Sequence, residues 1–230
     1  ILGLNQKPDM TEKNRLIPLE RYGMKVMSFG FISGNETPVI WRGPLVSRMT
    51  EQFFKDVEWG ELDYLILDLP PGTGDVQLTL TQKLRISGAI IITTPQDIAL
   101  SDVRKGADMF KKVKTPILGV IENMSGYVID GIIKNSAGEI LNKGEISMND
   151  GSSIEISKTG NFQIKIDLFK KGGGESESER LNIPLLGKIP LSNDIVTSTD
   201  AGTPIVKKDP NHKVSEIYLS IVNKILSSNS

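Results

Sequence analysis

Short apolar runs closed by proline or glycine alternate along this chain with stretches whose apolar positions recur every three or four residues. The runs read as strands and the stretches as amphipathic helices. Residues 24–31 form the first expected strand. Leu45, Met49, Phe53 and Val57, with Val46 and Phe54 beside them, line one face of a helix that follows the turn Trp41-Arg42-Gly43-Pro44. Residues 64–67 are apolar and β-branched enough for a strand buried on both faces, and it must stop at Pro70 and Pro71, which cannot donate to a ladder. A helical stretch covers about 75–85, and a buried strand covers 88–94 up to Pro95. Asp97 then reads as the N-cap of a helix bearing Val103, Ala107 and Phe110 on one face. Residues 116–121 form another strand, ending at Glu122-Asn123-Met124. Strands separated by single helices imply right-handed crossovers and a parallel sheet.

The period changes to two from about 128 to 171. Phe162, Ile164, Ile166 and Leu168 alternate with polar neighbours, Ile154 and Ile156 do the same, and Asn149-Asp150-Gly151 and Ala137-Gly138 supply turns. An antiparallel meander, half exposed, is expected there, closed by Gly172-Gly173-Gly174 and followed by a short helix over 175–181. Residues 183–190 form a last strand, stopped by Pro190. Val214, Ile217, Ile221 and Ile225, with Tyr218 and Val222, form one face of a final helix over 213–226. Only Lys213 and Lys224 flank that stripe, so it is expected to dock on the sheet and not on a membrane.

Composition narrows the chemistry. With 230 residues, the chain suits one α/β domain with room for an insertion, and its net charge of −1 gives no reason to expect nucleic acid or an acidic membrane as partner. It contains no cysteine, which excludes thiolate metal sites within the chain, and its one histidine, His212, argues against a histidine-based zinc site or a Ser-His-Asp triad. No apolar run reaches membrane-spanning length and no signal peptide is visible, so a cytoplasmic protein is expected. The first residue is Ile1, and 1–4 read as the continuation of a longer chain.

The candidate chemistry centres on Asp68-Leu69-Pro70-Pro71-Gly72-Thr73-Gly74-Asp75. An acid at the carboxyl end of a parallel strand stands where open α/β sheets bind ligands. Asp68 thus reads as a Walker-B-type acid orienting Mg²⁺ or its water, with Gly72, Thr73 and Gly74 as a loop sensing the terminal phosphate. Taken alone, the aspartate reads equally as a strand-end turn former. A nucleotide-hydrolysing domain also needs a phosphate-cradling loop, and no G-x-x-x-x-G-K-[ST] occurs here. The glycines at 172–174 precede acids, which repel phosphate.

Several motifs resemble the Mrp family of iron–sulfur cluster carrier ATPases, within the MinD/ParA-like deviant-Walker P-loop class. They are Ile40-Trp41-Arg42-Gly43-Pro44, the string from Leu67 to Thr79, Thr93-Thr94-Pro95-Gln96-Asp97, Ile121-Glu122-Asn123-Met124-Ser125 and Asp200-Ala201-Gly202-Thr203-Pro204-Ile205-Val206. The resemblance implies a single P-loop NTPase-like domain over 1–230, with a mostly parallel sheet, helices on both faces and a β-rich insertion, its P-loop part lying upstream of Ile1. It implies ATP and Mg²⁺ as cofactors, Asp68 as the Walker-B acid that meets Mg²⁺ through water, and Gly72, Thr73 and Gly74 as the switch loop. It further makes Asn123 the reader of the adenine edge, with an amide that both donates and accepts, and lays Pro190 against the base. The implied partners are a second copy in a homodimer, iron–sulfur assembly proteins and apo-protein acceptors.

One departure stands out. Family members follow Asn-Met-Ser with a Cys-x-x-Cys pair holding a cluster between subunits, whereas Gly126-Tyr127-Val128-Ile129 here leads into the insertion, at 129–171. Cluster ligation ordinarily takes four thiolates, and this chain supplies none. The expected function is therefore an ATPase assisting iron–sulfur cluster assembly or transfer, inactive without the P-loop. The alternatives are a nucleotide-gated scaffold that carries no cluster and captures partners through the meander, and a partitioning ATPase, which would want a basic patch this chain lacks.

Overall fold

The computed structural model describes residues 1–33, 51–69, 77–78, 80–81, 84–149, 151, 153–169 and 171–228. Strands β1 (Leu19–Arg21) and β2 (Met24–Val26) form an antiparallel hairpin. Its two turn residues, Tyr22 (φ 53°) and Gly23 (φ 75°), both take positive φ, the backbone that matches the twist of a tight hairpin. The strand expected over 24–31 is cut short, because the Ser28 hydroxyl accepts from the Gly30 N–H (3.3 Å) and Phe29–Ser33 turns as a helix. Phe29 stacks on Phe53 at 4.4 Å between ring centroids. Phe53 lies in helical residues 51–55, the described part of the helix expected from 45. Trp41 and Arg42 lie outside the described residues, as does most of the 75–85 stretch, of which residues 77, 78, 80 and 81 are helical.

The largest correction concerns 64–67. These residues form no strand, and Tyr64, Leu65 and Ile66 are 66%, 44% and 91% exposed. An apolar run becomes a buried strand only where a neighbour offers a ladder, and among the described residues no strand pairs with this one. Leu69, just beyond, does pack into the core.

Strand β3 (Ala89–Thr93) and the helix Asp97–Lys112 follow as expected, except that Gln96 takes the N-cap and Asp97 becomes the first helical residue. Its carboxylate still lies in the first turn, at the positive end of the helix dipole. Strand β4 (Ile117–Ile132) is the axis of the sheet. Val120 pairs with Ile91 of β3 and with Leu185 of β8 (Leu185–Leu191), both in parallel, so β3 and β8 occupy its two edges. Side chains alternate across this sheet. Val120 joins Ala89, Ile91, Ala107, Met109, Phe110 and Leu181 under the helices Asp97–Lys112 and Gly173–Leu181, and Ile121 joins Leu186, Ile189 and Ile221 under the helix Lys213–Ser228. The parallel sheet covered on both faces is thus observed. Strand β3 is not buried throughout, since Ile90 and Ile92 are 38% and 61% exposed while their neighbours are enclosed.

The final helix docks tightly on the sheet. A Cβ on Gly187 would stand 2.6 Å from Ile221, and Lys224 donates to the Leu186 carbonyl at 2.8 Å. Val222, expected on the apolar face, turns 47% of its surface to solvent.

The sequence places the end of β4 at Glu122-Asn123-Met124, but the strand runs on to Ile132. Met124 (φ 55°) and Gly126 (φ 79°) bend it, and residues 127–132 pair antiparallel with β7 (Asn161–Ile166). Within the insertion, β5 (Glu145–Ser147) and β6 (Ser153–Glu155) form a further antiparallel hairpin, as the alternation requires. Strand β8 likewise runs one residue past Pro190. The register jumps from Asn123↔Ile189 to Tyr127↔Leu191, so Pro190 falls opposite the β4 bulge, where its missing N–H breaks no rung.

Candidate site at the carboxyl edge of the sheet

The pairings set a row of chemistry-bearing residues along the carboxyl edge of the parallel strands. Thr93 stands opposite Glu122, and Asn123 opposite Ile189, which brings Thr94, Asn123 and Pro190 to successive strand ends. This is the crevice where parallel α/β sheets take ligands. Asn123 is half-buried, and its Oδ1 accepts from the Met124 N–H at 2.9 Å, fixing the amide in one orientation. Its Nδ2 donates to nothing among the described residues. The Thr94 hydroxyl at the same edge is buried and has no hydrogen-bond partner among the described residues. An orphaned hydroxyl and a half-buried amide at one edge suit a polar ligand.

Beneath Asn123 lies Glu122, 1% exposed. The Ser125 hydroxyl donates to its Oε1 at 2.6 Å and the Gly174 N–H to its Oε2 at 2.7 Å. The glycine run gains a role that the sequence did not suggest. A Cβ on Gly173 would stand 2.8 Å from Pro95 Cα, and one on Gly174 would stand 2.7 Å from Glu122 Cβ. Only glycines let this helix begin pressed against the ends of β3 and β4. A visible signal was the lone acid closing an apolar strand, followed some fifty residues later by three glycines opening a helix.

The same helix carries Glu177, whose side chain is fully enclosed between Arg104 (3.2 Å) and Arg180, with Arg180 also reaching Asp108 at 3.5 Å. Burial works to raise the Glu177 carboxyl, but hydrogen bonds from Arg180 and Arg104 outweigh it and hold the group below its ordinary range. Lys188 on β8 bonds Glu175 at 2.7 Å and ties the helix start to the neighbouring strand.

Asp68 is exposed, and Gly72, Thr73 and Gly74 lie outside the described residues. Among the described residues no three His, Asp or Glu side chains gather to hold a metal. For an iron–sulfur cluster the fit fails, because the chain has no thiolate to offer.

The family model described as "ParA: NUBPL iron-transfer P-loop NTPase" matches residues 1–157 and 152–226. The chain is 36% identical over 98% of its length to the Arabidopsis thaliana "Iron-sulfur protein required for NADH dehydrogenase, mitochondrial", spanning 63% of that protein. It is 38% identical over 99% of its length to the "Iron-sulfur cluster carrier protein" of Aquifex aeolicus, spanning 54% of it. To the mouse "Iron-sulfur cluster transfer protein NUBPL" it is 34% identical over 98% of its length, spanning 61%. Among solved structures it resembles a nucleotide-binding protein from Archaeoglobus fulgidus in complex with ADP. The TM-score is 0.56 at 29% identity, over 85% of this chain and 64% of that one. In each of these comparisons the chain spans less than two thirds of its relative.

Proposed function

The chain belongs to the ParA/NUBPL family of iron-transfer P-loop NTPases, and from that premise we propose that it forms most of an ATP-binding protein that delivers iron–sulfur clusters to acceptor proteins. The observation that carries the reading is the register of β4 against β8, which pairs Asn123 at the carboxyl edge with Ile189, the residue before Pro190. Iron–sulfur carriers and transfer proteins among its relatives, and an ADP complex among its structural neighbours, support it.

In this reading Asn123 meets the adenine edge through its free Nδ2, with Pro190 against the face of the base. Asp68 and the loop Gly72, Thr73 and Gly74 serve the phosphate end in the full-length protein, where Asp68 would hold Mg²⁺, through water. The metal would neutralise charge on the phosphates. The cluster is cargo, and this chain's own residues do not ligate it. The insertion over 129–171 stands where relatives of the Mrp type carry their paired cysteines, and its exposed strands offer a surface to partners. The proposal includes a homodimer in the cytoplasm, checked by sedimentation of the purified protein and by cell fractionation.

Two substitutions in the full-length protein test the site. Asp68→Ala should lower ATP turnover by roughly a hundredfold or more, the scale of losing a group that acts on the transferred phosphate, while ATP still binds. Asn123→Ala should weaken ATP binding. Near-normal turnover in the first would remove the assignment of Asp68.

A further inference from the structure

We propose that Glu122 is a positioning residue for base recognition: its buried carboxyl group clamps the β4 bulge to the Gly173–Leu181 helix and thereby sets the orientation of Asn123. This rests on the reading of Asn123 as the adenine contact. Between Asn123 and Tyr127 the strand gains two residues over its partner β8, with Met124 and Gly126 at positive φ. A bulge of this kind has lost the ladder that would fix it, so something else must hold its shape. Glu122 does so from below. One carboxyl oxygen takes the hydroxyl of Ser125, which lies inside the bulge, and the other takes the N–H of Gly174, in the first turn of the helix.

All three groups are buried, with Glu122 1% and Ser125 6% exposed. The two bonds are therefore made out of competition with water and are costly to lose. The contact is also close-packed, since Gly174 leaves no room for a Cβ against Glu122. Asn123 lies directly between the clamped residue and the clamped turn. Its Oδ1 accepts from Met124 N–H, which takes part in the same bend. A shift of the bulge would turn the amide and misplace Nδ2 relative to the base, and such a site discriminates through correctly placed polar groups.

The experiment measures dissociation constants of ATP and GTP for the full-length protein and its variants, at a temperature well below each variant's melting midpoint. Asn123→Ala should abolish the preference for ATP over GTP. Glu122→Ala should lower that preference by roughly tenfold, about one well-placed hydrogen bond. Glu122→Gln should restore most of it, because the amide can accept from Gly174 and donate to the Ser125 oxygen. Should Glu122→Ala fail to fold, Ser125→Ala, which removes one arm of the clamp, should show the same loss in smaller measure. If Asn123→Ala loses the preference while the clamp variants change only the melting temperature, the positioning role is overturned and the reading of Asn123 stands. If Asn123→Ala keeps the preference, both fall.

Discussion

Glu177 shows how much a single residue can hold when its partners come from two helices. Arg104 of the helix Asp97–Lys112 and Arg180 of its own helix enclose it completely. Its folded-state pKa is depressed, so its contribution is fully present above the ordinary value of 4.5 and is lost as pH falls through the folded value. Glu177→Gln should therefore cost about 1–3 kcal/mol at neutral pH. Urea melts should show the gap to wild type closing below about pH 4.5. Gly174 makes the complementary case at the same scale. Gly174→Ala should cost about 1–3 kcal/mol through overpacking against Glu122, read as a lowered melting temperature. Neither contact could be placed from the sequence, because Arg104 and Glu122, which complete them, lie on other elements: burial of a charge depends on what folds over it.

At the scale of the element, the sequence was reliable where an apolar pattern found its partner within the chain. The helix Lys213–Ser228 docks as its stripe requires, and Ile221→Ala should cost about 2–5 kcal/mol, measured by equilibrium unfolding. Lys224, read from the sequence as a flanking charge, instead ties the helix to the Leu186 carbonyl. The insertion is legible as alternating strands, but the continuity of β4 into it is not, since Glu122-Asn123-Met124-Ser125-Gly126 has the composition of a turn and becomes a bulge only because β7 pairs beyond it. That geometry makes the insertion removable. Ile132 lies opposite Asn161, and the Ile133 N–H bonds the Gly160 carbonyl at 3.0 Å, so the two arms already meet. Replacing 133–160 with a two-residue turn in the full-length protein should leave the far-ultraviolet signature of the sheet and ATP affinity within about twofold of wild type, as the loop lies away from the core.

For the whole molecule, the absence of cysteine in this chain sets a firm expectation. Incubated with iron, sulfide and reductant, the 230-residue chain should elute from gel filtration without stoichiometric iron or the visible absorption of a thiolate-bound cluster. The Asp200-Ala201-Gly202-Thr203 turn shows how distant parts meet at this scale. The Tyr22 hydroxyl bonds the Gly202 carbonyl at 3.3 Å, and a Cβ on Gly202 would stand 2.7 Å from Gly3 Cα, so the amino-terminal segment and the first hairpin both rest on it.

The sequence by itself determined the class of fold, because strand-length apolar runs alternating with helical stripes admit little besides a parallel sheet under helices. Its resemblance to the Mrp family also implied a role at the base for Asn123 and Pro190. Only the tertiary structure decided that Asn123 pairs with the residue before Pro190, that Glu122 is clamped beneath Asn123, and that residues 64–67 are not a buried strand. The reason is physical. Periodicity reports which face of an element wants burial, whereas register, close approach and the availability of a ladder depend on residues far away in the chain.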